Sequence, residues 1–346
     1  ARQRRLVGGE QHLEFGIGGD GAHGVADRPL QRLARRLLFW FLLIALLPCG
    51  LLTAITASLA NRALETSVQE RLVQIASARS TQLESYAAER VRDGTTLSIA
   101  PTVVTAMSQL SSVSLSESNA NALEAKATAY APYLRDVATS RGYQSLLLIH
   151  VDGTVLYSST DQLKPGAQLT SESLGATELA KSFDRSRTLL QSELCQFAPF
   201  GKSGRPTAFV TSPIFQQGKV IGVLALQLPI DRVWQIQTDT TGLGATGEIL
   251  TAERIGNTAR ITTPLRHRSD AAYELTIPLT VEKAVAARHA SSGNRGYAVF
   301  PDYRQEEVAA AWCYLPSYRW GLVAKQDTSE AFALVRFQQL LIAGLL

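Results

Sequence analysis

The chain has 346 residues and a formal net charge of +4, length enough for about two domains of ordinary size. Charged residues make up 18%, below the usual ~25%, which points to a part of the chain that does not sit in water. There is no basic stripe interleaved with aromatics, and the three cysteines and five histidines have no ligand spacing, so no nucleic acid, metal or cofactor is expected.

Residues 1–24 are rich in Gly and charge and lack an apolar period; disorder is expected there, with native translation beginning near Val25. Leu37–Ala60 follows without a charge. As a helix it spans about 36 Å, enough for a ~30 Å hydrocarbon core, and Pro48 and Gly50 are tolerated in such helices. So long an uncharged run is rare in a soluble core, and it exceeds the ~7–15 apolar residues of a signal peptide. Arg28, Arg32, Arg35 and Arg36 precede the span, so residues 1–36 are expected in the cytoplasm and the chain after Ala60 outside it. The last residues, 335–346, have the character of the start of a second span, cut off.

Residues 61–334 are therefore expected to be extracytoplasmic. Over 61–141 the period is helical: Leu64, Val68, Leu72 and Ile75 form one narrow seam, and Leu123, Ala127, Tyr130, Leu134 and Val137 another. Each seam fits an intrachain core stripe or a homodimer contact equally well. SQLSSVSLSESNANA, between them, reads as a Ser-rich connection.

From 142 to 236 the pattern turns to strands. SLLLIHVDGTVLYSS predicts a hairpin at Asp152-Gly153, ATELAKSFDRS a short helix, and AFVTSPIFQQGKVIGVLALQLP a hairpin at Gln217-Gly218. Residues 237–334 repeat the design, with hairpins at Gly256-Asn257 and inside VAAAWCYLPSYRWGLVAKQD. Ile221–Gln227 and Trp320–Gln326 share one pattern, bulky-Gly-aliphatic-aliphatic-Ala-x-Gln, with glycines 321 − 222 = 99 residues apart. This predicts two tandem antiparallel α+β modules, each with its own core, and Gly222 and Gly321 at matching strand positions. Cys195 and Cys313 fall in different modules and are expected to remain free thiols.

Gly242-Leu243-Gly244-Ala245-Thr246-Gly247 is a G-x-G-x-x-G. A dinucleotide fingerprint needs a strand before the glycines and a helix after them. Here helix-like PIDRVWQIQTD precedes and strand-like GEILTA follows, so the glycines are expected to form a tight link between the modules. No Ser/His/Asp set, no paired carboxylates at strand ends and no G-x-S-x-G are present, so no catalytic residue is expected in this segment.

The pieces FAPFGKSGRPTAFVTSPIF, GKVIGVLALQLPIDRVWQI, TGLGATGEILTAER and DYRQEEVAAAWCYLPSYRWGLVAKQDTSEAFALV together resemble the double Cache sensor domain of bacterial transmembrane receptors, over about residues 61–335. The resemblance implies an α+β fold: a long N-terminal helix, two tandem PAS-like antiparallel-sheet modules, distal (142–236) and proximal (237–334), and flanking transmembrane helices. It implies a small-molecule ligand in the distal module, a lipid bilayer as partner, a homodimer, and a place in the bacterial plasma membrane with the sensor outside. The expected output is a histidine kinase, with a diguanylate cyclase, a chemoreceptor or a non-signalling scaffold as alternatives. The Arg-x-Trp-Tyr motif of the amino-acid-binding subset is absent, its region reading APYLRDVATSRGYQS, and Gln196-Phe197 stands where similar sequences carry an acid before the aromatic.

Strand alternation nominates the pocket lining. Tyr157 and Ser159 share a face of one strand, Phe209 and Thr211 of another, and Gln227 lies near the end of the last. Lys202 and Arg205 sit in a Gly/Ser/Pro loop placed to cap the pocket, and contact through them would favour an anionic ligand.

Overall fold

The computed structural model describes residues 27–114, 120–281 and 285–333. The disorder expected for 1–24 and the second span expected at 335–346 lie outside them. The chain divides into two units, residues 1–62 and 63–346.

In the first unit, the span lies on α1 (Asp27–Ser98), the one helix among the described residues long and apolar enough to cross a membrane, with a mean hydropathy of 2.4 over its best 18-residue window. Its apolar side chains are uncovered: Phe41 is 76% exposed and Ile44 68%. A continuous apolar belt of this kind could span a membrane. Pro48 removes one amide from the helix ladder. Past it, the Thr53 and Thr56 hydroxyls donate to the carbonyls of Cys49 (2.7 Å) and Leu52 (2.9 Å).

In the second unit, the part of α1 from Ala63 carries the first seam into the interior of the chain. Val68 and Leu72 are buried, and Leu64 and Ile75 pack against the same core. The second seam is broken into α3 (Ala120–Ala127) and α4 (Ala131–Ser140), because Pro132 in the first turn of α4 starts a new helix. Its Leu123, Ala127 and Leu134 are buried in that core too. Both seams are thus intrachain core stripes. Each fully buried Leu contributes about 1.5–3 kcal/mol.

The Ser-rich connection needs correction. Its first half, through Ser114, belongs to α2 (Pro101–Ser114), with Met107 and Leu110 fully buried. Serine's weak helix propensity yields to that burial, and Ser111 Oγ donates back to the Met107 carbonyl at 2.8 Å. Residues 115–119 lie outside the described residues.

Two antiparallel six-stranded sheets follow. The first is built from β1 (Ser145–His150), β2 (Val155–Ser158), β3 (Glu193–Leu194), β4 (Ala198–Pro199), β5 (Pro206–Gln216) and β6 (Lys219–Pro229), in the order β2-β1-β6-β5-β3 with β4 also on β5. The second is built from β7 (Glu248–Ile255), β8 (Thr258–Ile261), β9 (Thr276–Pro278), β10 (Gly296–Pro301), β11 (Glu307–Leu315) and β12 (Trp320–Asp327), in the order β10-β11-β12-β7-β8-β9. All four expected hairpins form. At the second, Gln217 and Gly218 take φ of +49° and +77°, the left-handed turn that matches strand twist. The short helix is α5 (Glu178–Leu189), capped by Thr177, whose hydroxyl accepts from Ala180 N at 3.2 Å. The helix before the glycine link is α6 (Asp231–Thr238), and α7 (Val285–Ser291) covers the second sheet.

The repeat holds in strand order and fails in register. Gly222 and Gly321 both lie on the central strand, β6 and β12. A Cβ on Gly222 would run into Met107 of α2, whereas one on Gly321 would run into Ala290 of α7. The α1 side of the second sheet is the other face, where Cys313 Sγ approaches the Ala76 carbonyl. Side chains alternate along a strand, so a one-residue offset swaps the faces.

The cores also divide differently from the modules. One continuous core follows α1 through the whole first sheet and on to one face of the second, including Cys313, Tyr318 and Trp320. Phe197 of the first module stacks on Tyr318 (6.3 Å) and meets Trp320 at 5.9 Å. A smaller core lies between the other face of the second sheet and α7. Cys195 and Cys313 are buried free thiols, and burial pushes Cys195 up to about 12, which leaves it unreactive.

Candidate ligand-binding site

The two faces of the first sheet have different covers. One packs on α1 and α2: Gly94 of α1 lies against Val210 and Ser212, and Gly222 against Met107. The other is covered by α5, where the Ser182 and Thr211 hydroxyls meet at 2.6 Å in a fully buried pair. At the N-terminal end of α5 this second cover is incomplete. A cavity of about 300 Å³ lies there, lined by Ala176–Leu179, Ala198–Phe200, Thr207 and Phe209. Its floor is Phe209, edge-on to Phe200 at 4.9 Å between ring centres. Directly across the strand pair from Phe209 is Gln227, whose Nε2 donates to Gln162 Oε1 at 2.8 Å.

Of the nominated residues, Phe209, Thr211 and Gln227 therefore share the α5 face, and only Phe209 lines the cavity. Tyr157 does not join them. It pairs with Leu148 and turns to the α1–α2 side, where its hydroxyl reaches the Ala131 carbonyl at 3.4 Å. Burial raises its phenol above the ordinary value. On β2 it is the next residue, Ser158, opposite Leu147, that lies on the cavity face. Ser159 lies just past the end of β2, its Oγ accepting from Leu146 N at 2.9 Å and standing 3.4 Å from Ser145 Oγ. Alternation shows which residues share a face but not which face it is, and a register shift between Leu148 and Ile149 hides the parity of β2.

Neither basic residue of the cap loop lines the cavity. Arg205 is engaged by Asp231 at 2.6 Å with both side chains more than half exposed, and Lys202 is exposed on the same loop. The lining that strand alternation missed comes from the helix cap and the loop: Thr177, Glu178, Leu179 and Ala198–Phe200. Thr-Glu at the head of an amphipathic stretch is a helix-start signal, and a helix N-terminus offers unpaired amides. Glu178 is paired with Lys181 at 2.8 Å.

A family model described as a Cache domain matches residues 60–335. The chain belongs to the Cache domain family. No curated protein matches it. Among solved structures, the ligand-binding domain of the Campylobacter jejuni chemoreceptor Tlp3 in complex with 4-methylisoleucine is similar over 78% of this chain and 94% of that one, with a TM-score of 0.54 at 10% identity. The extracellular domain of mmHK1S-Z2, assigned as a histidine kinase, is similar over 76% of this chain and 98% of that one, with a TM-score of 0.50 at 14% identity. At these identities the likeness is one of fold.

In this Cache chain the second sheet closes the equivalent face. Under α7 the remaining cavity is about 30 Å³, lined by apolar side chains with Asp302, Tyr303 and Lys325. Lys325 Nζ lies 2.9 Å from Glu248 and 2.5 Å from Asp302, all three side chains 3% exposed, and it sits 4.2 Å over the Tyr303 ring. Burial alone would raise the Asp302 carboxyl; Lys325 and Arg304 reverse that and hold it below the ordinary value. Arg304 also pairs with Asp327.

Proposed function

We propose that this Cache chain is the extracytoplasmic small-molecule sensor of a bacterial inner-membrane receptor, and that its ligand occupies the cavity at the head of α5. The observation that carries this reading is the cavity of about 300 Å³ over the first sheet, part apolar and part hydroxyl-lined, at the lower end of the size of small-molecule pockets. Support comes from Tlp3, whose domain of the same fold is described in complexes with 4-methylisoleucine and with L-valine. A small, largely apolar molecule suits the Phe200–Phe209 floor, and Lys202 and Arg205 give no ground for requiring an anion. A histidine-kinase output is the first choice, supported by the assignment of mmHK1S-Z2; the chemoreceptor Tlp3 supports the second. A homodimer, with both seams spent inside the chain, would use another face of α1, where Val73 is 43% exposed.

The test is a thermal-shift screen of amino acids and small organic acids on the full chain in detergent, followed by calorimetry of the hits. Phe209→Ala and Thr207→Leu each lower affinity about tenfold or more, roughly 1.4 kcal/mol, while Tyr157→Ala on the far face leaves it unchanged. Affinity that survives both cavity variants and falls in Tyr157→Ala moves the site to the other face of the sheet.

A further inference from the structure

The glycine link between the two sheets is not an empty turn. Gly242 and Gly244 take φ of +85° and +71°, which curls the backbone so that two successive amides point at one spot. That spot holds a carboxylate of this chain. Ala245 N donates to Glu330 Oε1 at 2.7 Å and Thr246 N to Oε2 at 2.8 Å, and the Thr246 hydroxyl donates to the same Oε2. Glu330 belongs to α8 (Thr328–Ala331), which leaves β12 towards the end of the described residues. A Cβ on Gly244 would meet the Glu330 carboxylate and Gln326 Nε2, both at the ends of flexible side chains, and would push them out of this contact; the φ of +71° favours glycine there independently.

The neighbours make this contact a junction. Arg71 of α1 donates to Gln326 at 2.6 Å, and Asp327 N donates to the Thr246 hydroxyl at 3.2 Å. Arg79 of α1 pairs with Asp239 at 2.6 Å, and Arg266 donates to Thr240 at 2.7 Å and to the Ala245 carbonyl. Upstream, the loop continues directly from α6 and β6 of the first sheet. Trp234 and Gln237 of α6 donate to the Thr262 carbonyl and the Thr251 hydroxyl of the second module, each at 2.9 Å. Residues 239–247 are therefore the covalent link from the first sheet to the second, and they also grip the segment that leaves the second.

We propose that the glycine loop is a receptor for the Glu330 carboxylate, a latch that makes the link between the sheets and the departing C-terminal segment move as one. The role this gives to signalling rests on the sensor reading above; the latch itself does not. Burial alone would raise the Glu330 carboxyl, but the Thr246 hydroxyl, the two amides and Gln326 hold it at about 2. The latch therefore stays charged in ordinary buffers and is opened by displacement of the loop, not by protonation.

Coupling is reciprocal, so a change on either side must loosen the other. The test is hydrogen exchange on the full chain in nanodiscs, without ligand. Glu330→Ala and the closer-sized Glu330→Gln speed exchange in residues 239–247 about 10- to 100-fold, the range expected for lost charge-assisted hydrogen bonds. Gly244→Ala speeds exchange in residues 328–333 by a similar factor, and Ser329→Ala, on an exposed neighbour, changes neither. If Glu330→Ala leaves the loop as protected as before, or Gly244→Ala loosens only its own loop, the latch is refuted. No ligand or output enters the measurement, so its failure leaves the sensor reading standing, and failure of the ligand screen leaves the latch standing.

Discussion

Across β1, β6 and β5 of the first sheet, Ser145, Gln227 and Phe209 stand side by side on the α5-covered face. Across β7, β12 and β11 of the second, the corresponding places hold Glu248, Lys325 and Ala310. The strand order is the same, yet one face keeps a cavity of about 300 Å³ and the other only about 30 Å³. The difference follows from what burial demands. Neutral amides and hydroxyls are satisfied by one or two neighbours and leave room beside them. A buried ammonium needs counterions in contact, so Asp302 and Glu248 are drawn onto Lys325 and fill the space a ligand would take. A duplicated fold thus carries one face with a cavity and one closed by its own ion cluster.

The largest expected effect separates the two faces by stability. Lys325→Met leaves the buried Glu248 without a cation and Asp302 with Arg304 alone, and is expected to cost about 3–5 kcal/mol in urea unfolding. Gln227→Leu removes a hydrogen bond to the exposed Gln162 and is expected to cost about 1 kcal/mol. Equal costs would break the comparison.

Acid should separate them next. The Asp302 carboxyl is held below its ordinary value, so its stabilisation is complete above the unfolded pKa of about 4 and is lost as the pH falls through the lower folded value. Hydrogen exchange corrected for its intrinsic rate is expected to show β10–β12 loosening below pH ~4 before β5 and β6 do. Loosening of β5 and β6 first would show that the ion cluster does not govern the second sheet.

The smallest effect sharpens the account of the open face. Arg205→Ala removes an ion pair that is more than half exposed on both sides, and it is expected to change stability by less than about 1 kcal/mol. It should also leave the affinity of any ligand found in the screen unchanged. A clear loss of affinity would restore the loop as a cap and, with it, an anionic ligand.

Much of this architecture is legible in the amino-acid order. The uncharged run Leu37–Ala60, the four hairpin turns, the Thr177 cap of α5 and the helix–loop–strand context of the glycine motif are all local signals, because backbone propensity and side-chain period act over a few residues. The Ser-rich segment misleads for the same reason: its helix is held by the burial of Met107 and Leu110, a contact that no local window contains.

The candidate site divides along the same line. Period two correctly groups Phe209 with Thr211, but it cannot say that Tyr157 looks the other way, since that depends on the register between β1 and β2. Nor can spacing tell that Gly222 and Gly321 face opposite covers. The charge pairs show the limit most plainly. Glu330 and the amides of Ala245 and Thr246, and Lys325 with Glu248 and Asp302, are far apart in the chain. The sequence by itself determined most of the elements, the long uncharged helix and the family, because those are written in short-range pattern. Which faces meet, which cavity stays open and which charge finds which partner were decided only when strand register and helix packing brought distant residues within hydrogen-bond reach.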